Sequence, residues 1–351
     1  MTFSHDTVTD AAGTTGPVHY LSTLSLSDAW LDRLRQRHPR VEITQITAEK
    51  ASDVPDEVWR RTRVLHTGAV FPDARQAPAL QWIQLDTSGA DHLKGTPTWD
   101  LPVPITSIGG ISPVPMAEYV MMMVLGLAHR LPRAVAVQQS GVWPSPSERW
   151  NTLMPRTLRG ATIGVIGYGR IGQEIGRLAR AHHMTVLGLK RGRATRPGAF
   201  FGAGAPDEAE AEAEIYTPDQ LHEFLGRCDY VIVTCPLTDE TRGMIDSEAL
   251  AALKEGAMFV NVARGGIVDE EALLRALRSG RVAGAALDVF DEEPLGADSP
   301  WWTEPGVLLT PHVAGFAPDY EEQVLRLVGE NIERHLTGSD LLNLVDRGRG
   351  Y

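Results

Sequence analysis

The segment from Ala161 to Gly172, Ala-Thr-Ile-Gly-Val-Ile-Gly-Tyr-Gly-Arg-Ile-Gly, constrains this chain more than any other. A short apolar run ending at Ile166 leads into three glycines spaced G-x-G-x-x-G, a helical pattern runs on from Gly172 to Ala181, and a second apolar run starts at Thr185. A glycine triplet alone is weak; one set between a strand and a helix, with another strand at the right distance, is the fingerprint of a dinucleotide-binding loop. Gly167 permits the tight turn, Gly169 lets backbone amides approach a pyrophosphate, and Gly172 lets the helix pack closely on the sheet. The helix start at Arg170 and Ile171 then turns its unpaired N–H groups toward the anion.

Further along, apolar runs alternate with helical patterns: Thr185 to Lys190, Tyr230 to Cys235, Met258 to Ala263 and Ala283 to Phe290. Near-continuous Val, Ile, Leu and Ala strands separated by helices, such as Glu270 to Ser279, predict a parallel sheet covered on both faces. The first hundred residues repeat the alternation more weakly, through Val18 to Leu21, Val41 to Thr44, Arg63 to His66, Leu80 to Gln84 and Val103 to Ser107. The expected fold is therefore α/β with two doubly wound parallel-sheet domains. A Rossmann-type cofactor domain, 113–312, is inserted in a flavodoxin-like substrate domain made of 17–112 and 313–351, with a cleft between the lobes. Residues 1–16, rich in Thr, Asp, Ser and Gly, read as a flexible leader with no secretory signal.

Charge narrows the partners. A formal net charge of -12 over 351 residues repels phosphate backbones and anionic membranes, so nucleic acid and membrane are not expected as partners. The most apolar run, Val120 to Ala128, is too short to span a bilayer and predicts a buried helix. A cytoplasmic protein follows. The two cysteines, Cys228 and Cys235, lie in or beside an apolar strand pattern, which points to buried thiols and to no disulfide or metal site. The acidic stretch Ala205 to Glu214 reads as a solvated surface segment. His182 and His183 fall at a helix end, where cations suit the dipole, and His92 reads as a surface residue.

After the second strand of the cofactor pattern, where an acid would hold a ribose 2'-hydroxyl, stand Lys190 and Arg191, with Arg193 close by. An acid repels a 2'-phosphate and these cations attract one, so NADP(H) is expected as the preferred cofactor, with NAD(H) possible.

Three more segments put polar groups at strand ends: Asn261-Val-Ala-Arg264-Gly-Gly-Ile-Val-Asp269, Ala285-Ala-Leu-Asp288-Val-Phe-Asp-Glu-Glu293-Pro294 and Leu308-Leu-Thr-Pro-His312-Val-Ala-Gly315. With the glycine loop, with Cys235-Pro-Leu-Thr-Asp-Glu-Thr-Arg242 and with the closing Leu341-Leu-Asn-Leu-Val-Asp346, they resemble the D-isomer-specific 2-hydroxyacid dehydrogenase family, in its glyoxylate/hydroxypyruvate reductase-like form. The resemblance covers nearly the whole chain beyond the leader. It implies that Arg264, Glu293 and His312 are catalytic, and that Asp288 contacts the nicotinamide carboxamide. It further implies that Cys235, Pro236, Thr241, Val262, Ala263 and Gly315 line the cofactor site. The loop Thr87 to Ala90 would bind the substrate carboxylate through the backbone at Ser88, Gly89 and Ala90. Ser112 stands where relatives often carry Asn beside the substrate. The region of Val120 to Ala128 helps form a homodimer in the family, so a dimer is expected.

Chemistry gives independent reasons for the three. Hydride reduction of a ketone builds negative charge on oxygen, and an imidazole, here that of His312, suits the proton donor this requires. A carboxylate at Glu293 orients the ring and favours the imidazolium. The planar fork of Arg264 suits the carboxylate of a 2-oxo acid and polarises the adjacent carbonyl. Two alternatives use the same fold: a dehydrogenase of another small anion, formate or phosphite, and a cofactor-sensing corepressor-like protein. The acid at Glu293 argues against formate, where the resemblance implies a neutral glutamine.

Overall fold

A computed structural model describes residues 17–192 and 213–350; the leader, Arg193 and nearly all of the acidic stretch lie outside the described residues. Two compact units emerge, one of residues 17–111 with 318–350 and one of 112–192 with 213–317.

The first unit begins β1 (Val18–Ser22), α1 (Asp28–Arg37), β2 (Val41–Gln45), α2 (Asp56–Arg61), β3 (Val64–Thr67), β4 (Trp82–Leu85) and β5 (Ile105–Thr106). The second unit opens with α3 (Pro113–Ala128), α4 (Leu131–Ser140), α5 (Pro146–Leu153), β6 (Thr162–Ile166), α6 (Arg170–Ala181), β7 (Thr185–Leu189) and β8 (Glu214–Tyr216). It continues through α7 (Leu221–Arg227), β9 (Tyr230–Val233), α8 (Ser247–Ala252), β10 (Ala257–Asn261), α9 (Glu270–Arg278), β11 (Val282–Leu287) and β12 (Val307–Leu309). The last helix, α10 (Tyr320–Thr337), belongs to the first unit.

Every strand pair in both sheets is parallel. In the first unit the order is β2-β1-β3-β4-β5, a flavodoxin-like arrangement. Successive residues alternate between two cores, as a pleated strand requires: Tyr20, Val64 and Trp82 pack with α1 and α10, while Leu21, Leu65 and Ile83 pack with Val58 and Trp59 of α2.

The second unit has seven strands ordered β12-β11-β10-β9-β6-β7-β8. Its strands are apolar on both faces because both are covered. Ile163, Val165, Ile232 and Val260 meet Val120 and Val124 of α3 and Ile175 of α6, while Val231, Val233 and Phe259 meet Phe224, Leu250 and Leu273 of α7 to α9. Gly164 has no side chain because a Cβ there would overlap the Cys228 sulfur and the Phe224 ring. The chain builds β7 and β8 on one side of β6 and then crosses to β9 on the other, so the direction of winding reverses at β6. Ligands of doubly wound sheets bind outside the strand ends at such a reversal.

Helix α3 starts at Pro113, earlier than its apolar run from Val120 suggests. Its buried residues include Ala117, Val120, Met121, Met123, Val124, Leu127 and Ala128. No single helix among the described residues is long and apolar enough to cross a bilayer.

Candidate active site

The glycine loop sits at the β6 reversal. Gly167 has φ +94°, and a Cβ there would come within 2.5 Å of the Cys235 nitrogen, so the turn after β6 needs both the left-handed backbone and the missing side chain. A Cβ on Gly172 would lie 3.0 Å from the Gly167 carbonyl oxygen, which explains the close approach of α6 to β6. Gly169 is the N-cap of α6 and offers no side-chain oxygen to the helix amides. The first turn of α6 thus has no side-chain cap, the setting in which a helix start meets an anion. A dinucleotide pyrophosphate fits this cradle, in which glycine leaves space that any side chain would fill. Opposite, Thr234 Oγ1 donates to the Gly167 carbonyl at 3.0 Å, and Thr241 Oγ1 donates to the Pro236 carbonyl at 2.7 Å, fixing the Cys235 to Thr241 loop beside the glycines. Burial pushes the Cys235 thiol up to about 12, so it is a packing group, as is Cys228, also at about 12.

Lys190 follows β7 directly, its amide donating to the Tyr216 carbonyl at 3.0 Å. Arg191 faces the Cys235 to Thr241 loop and pairs with Glu240, Nη1 to Oε2, at 2.5 Å.

At the ends of β10, β11 and β12 three loops converge. His312 Nδ1 lies 2.7 Å from Glu293 Oε2, and Glu293 Oε1 accepts the Phe290 amide at 2.9 Å. The carboxylate is thereby held at both oxygens. The ring is about half exposed, and His312 adopts φ +55°, a left-handed conformation rare outside glycine. Asp288 accounts for that turn. Its carboxylate is buried and accepts the Val313 and Ala314 amides, each at 2.9 Å, and the Thr310 hydroxyl at 2.5 Å, while its carbonyl accepts the His312 amide at 2.8 Å. The aspartate expected to meet the nicotinamide is therefore also the post on which the histidine loop is wound.

Arg264 precedes a single 3-10 turn, Gly265–Ile267, and its Nη1 donates to the Ala263 carbonyl at 2.7 Å. Asn261 sets this corner: its amide nitrogen donates to the Arg264 carbonyl at 3.0 Å and its oxygen accepts the Ala263 amide at 3.1 Å. Val262 and Ala263 are buried at the end of β10. Ser112, at the head of α3, donates to the Gly315 carbonyl at 3.1 Å and so ties its helix to the loop beyond His312.

Ser88, Gly89 and Ala90 belong to the first unit, in the loop after β4. Thr87 Oγ1 donates to the Gly89 carbonyl at 2.7 Å, and among the described residues the amides of Ser88, Gly89 and Ala90 find no acceptor.

Several contributors carry no signal of their own in the sequence. Tyr119 of α3 hydrogen-bonds to Thr310, and burial pushes its phenol up to about 12. Glu270, in the first turn of α9, accepts the Asp291 amide at 2.6 Å and the indole N–H of buried Trp301 at 2.9 Å, holding the segment that leads to Glu293. Trp302, by contrast, is half exposed.

Comparison with known proteins places the chain in a family. Residues 121–314 match the family described as D-isomer specific 2-hydroxyacid dehydrogenase, NAD binding domain. A glyoxylate reductase of Thermococcus gammatolerans is 32% identical over 335 residues, covering 93% of this chain and 95% of that protein. A D-isomer specific 2-hydroxyacid dehydrogenase of Xanthobacter autotrophicus Py2, solved with NADPH and MES, is 30% identical with a TM-score of 0.76, over 96% of this chain and all of that one (100%). An NADPH-dependent glyoxylate/hydroxypyruvate reductase of Sinorhizobium meliloti, solved with NADP and sulfate, is 26% identical with a TM-score of 0.76, over 95% and 100% of the two chains. The chain belongs to the D-isomer specific 2-hydroxyacid dehydrogenase family and is an oxidoreductase with an NAD-binding Rossmann domain.

Proposed function

We propose that this protein interconverts a small 2-oxo acid and its D-2-hydroxy acid, with NADP(H) preferred over NAD(H). The observation that carries the reading is the 2.7 Å contact between His312 Nδ1 and Glu293, in the same unit as the glycine loop. A nicotinamide bound at that loop supplies the hydride in one direction and takes it up in the other. An ionised carboxylate can only accept, so Nδ1–H donates to Glu293 and Nε2 carries the transferable proton. His312 Nε2 gives that proton to the substrate oxygen during reduction and removes it during oxidation. Glu293, clamped between the ring and the Phe290 amide, keeps the imidazole aimed. Arg264 binds the substrate carboxylate and polarises the carbonyl beside it. The same proposal gives the backbone of Ser88, Gly89 and Ala90 a share in carboxylate binding and Ser112 a place beside the substrate.

Lys190 and Arg191 support the preference for a 2'-phosphate, as do the NADPH and NADP bound in the two related structures. The proposal includes a homodimer. Helices α4 and α5 bury none of their residues, and Val142, Trp143 and Trp150 stand 68%, 83% and 70% exposed, a surface suited to a second copy of the chain.

The test is a panel of glyoxylate, hydroxypyruvate and phenylpyruvate with NADPH and with NADH, followed by absorbance. Turnover with a higher kcat/KM for NADPH is expected. Nucleotide binding with no turnover on a broad panel overturns the reading in favour of a sensor, and a preference for NADH overturns the cofactor assignment.

A further inference from the structure

The cation expected to bind a 2'-phosphate is already paired. Arg191 Nη1 contacts Glu240 Oε2 at 2.5 Å, and the two residues lie 49 positions apart, so the pair is made by the fold and not by the local chain. Glu240 sits on a loop that has little freedom. The Thr238 amide donates to Thr241 Oγ1 at 2.8 Å, the Arg242 amide donates to the Thr238 carbonyl at 2.9 Å, and Thr241 Oγ1 donates to the Pro236 carbonyl. That loop begins at Cys235, whose backbone abuts Gly167.

An exposed ion pair of this kind, with the side chains 39% and 66% accessible, is weak and opens at little cost. Its effect on a second anion is larger. A phosphoryl group bears about 1.5 to 2 negative charges near neutral pH, and a carboxylate on the same guanidinium repels it while holding part of that guanidinium. A ribose with a free 2'-hydroxyl meets no such repulsion, and its hydroxyl can donate to a carboxylate.

Resting on the NADP(H) reading above, we propose that Glu240 is a specificity-determining residue: it competes with a 2'-phosphate for Arg191 and so moderates the preference for the phosphorylated cofactor. In this role Glu240 supplies, from the loop after β9, the repulsion of a 2'-phosphate that an acid after β7 would give. The chain then carries attraction and repulsion for one phosphate on two separate loops, and the balance between them sets the selectivity.

Calorimetric titration of the full chain with 2'-phospho-ADP-ribose and with ADP-ribose tests this without turnover. Glu240→Gln should tighten the phosphorylated ligand by about ten-fold and leave ADP-ribose within about two-fold. Equal changes for both ligands, or none for the phosphorylated one, overturn the inference. Arg191→Gln separates the two levels of the argument. If it weakens 2'-phospho-ADP-ribose by ten-fold or more while Glu240→Gln changes nothing, the NADP(H) reading stands and the role of Glu240 falls. If Arg191→Gln leaves both ligands unchanged, the cofactor reading fails and this inference fails with it.

Discussion

Gly265 presses its α carbon against the backbone between Phe290 and Asp291 so closely that a β carbon would overlap the Phe290 carbonyl group and the Asp291 nitrogen. The contact ties the corner that presents Arg264 to the segment that presents Glu293. Two groups proposed to act on one substrate are thus set at a fixed separation by a residue that touches neither the substrate nor a proton.

Gly265→Ala should therefore push the two loops apart. Overpacking against backbone costs about 1 to 3 kcal/mol, and the melting temperature should fall by several degrees with a loss of kcat/KM of more than ten-fold. Gly266→Ala is the control, since its β carbon would meet side-chain ends and no backbone: Arg242, Leu237 and Asp291, at 3.2, 3.5 and 3.6 Å. Thermal melts and steady-state kinetics on both variants check the prediction; equal behaviour of the two would contradict it.

Asn261 is buried and spends both ends of its amide on the Arg264 corner. Asn261→Leu removes a hydrogen bond from the Arg264 carbonyl and another from the Ala263 amide, at a cost of about 1 to 3 kcal/mol. Because the damage falls on the group assigned to the substrate carboxylate, KM for the 2-oxo acid should rise by ten-fold or more. The affinity for ADP-ribose, measured by calorimetry, should hold. A variant with unchanged KM would remove Asn261 from the account.

The Cys228 and Cys235 thiols are raised by burial from 9.0 to about 12. Below the unfolded value both states are protonated and the thiols contribute no pH dependence. Above it the unfolded chain ionises first, so stability is lost as pH rises from about 9 toward about 12. Near pH 8 the native protein should show almost no reaction with a disulfide reagent, whereas the chain in denaturant should release two equivalents. Rapid labelling of the native protein would show that one of these thiols is accessible after all.

How much of this was legible in the chain depended on how much each element buries. The strands β6, β7, β9, β10 and β11 are covered on both faces and appear as continuous apolar runs. The edge strand β8 has three residues and a neighbour on one side only, too little apolar sequence to stand out. The expected run from Val103 to Ser107 shortens to Ile105–Thr106, because Pro104 has no N–H for a sheet. Helices α4 and α5 were invisible because they bury nothing, so no apolar periodicity marks them. At the site, the joint occurrence of His312, Glu293 and Arg264 after a cofactor loop, and not any one of them alone, pointed to the chemistry proposed. The posts behind them were hidden: Asp288 under the histidine turn, Asn261 under the arginine corner, and Glu270 behind Asp291. Such roles exist only in contacts between segments far apart in the sequence, as with the Arg191–Glu240 pair.

The exposed arm carries the dimer proposal. Replacing Trp143 and Trp150 together by serine removes two large apolar side chains from a region with no core of its own, so folding should be unaffected. Sedimentation velocity should find a dimer for the unaltered chain and a shift to monomer for the double variant. A dimer that survives the double change would locate the interface elsewhere.

The most direct test of the central claim is turnover of NADPH with the best 2-oxo acid of the panel by the His312→Ala variant, with ADP-ribose binding measured alongside. The account predicts a loss of kcat of about 10²- to 10⁴-fold with nucleotide affinity unchanged. Turnover within a few-fold of the unaltered protein would contradict it, because no other described group is assigned to deliver the proton.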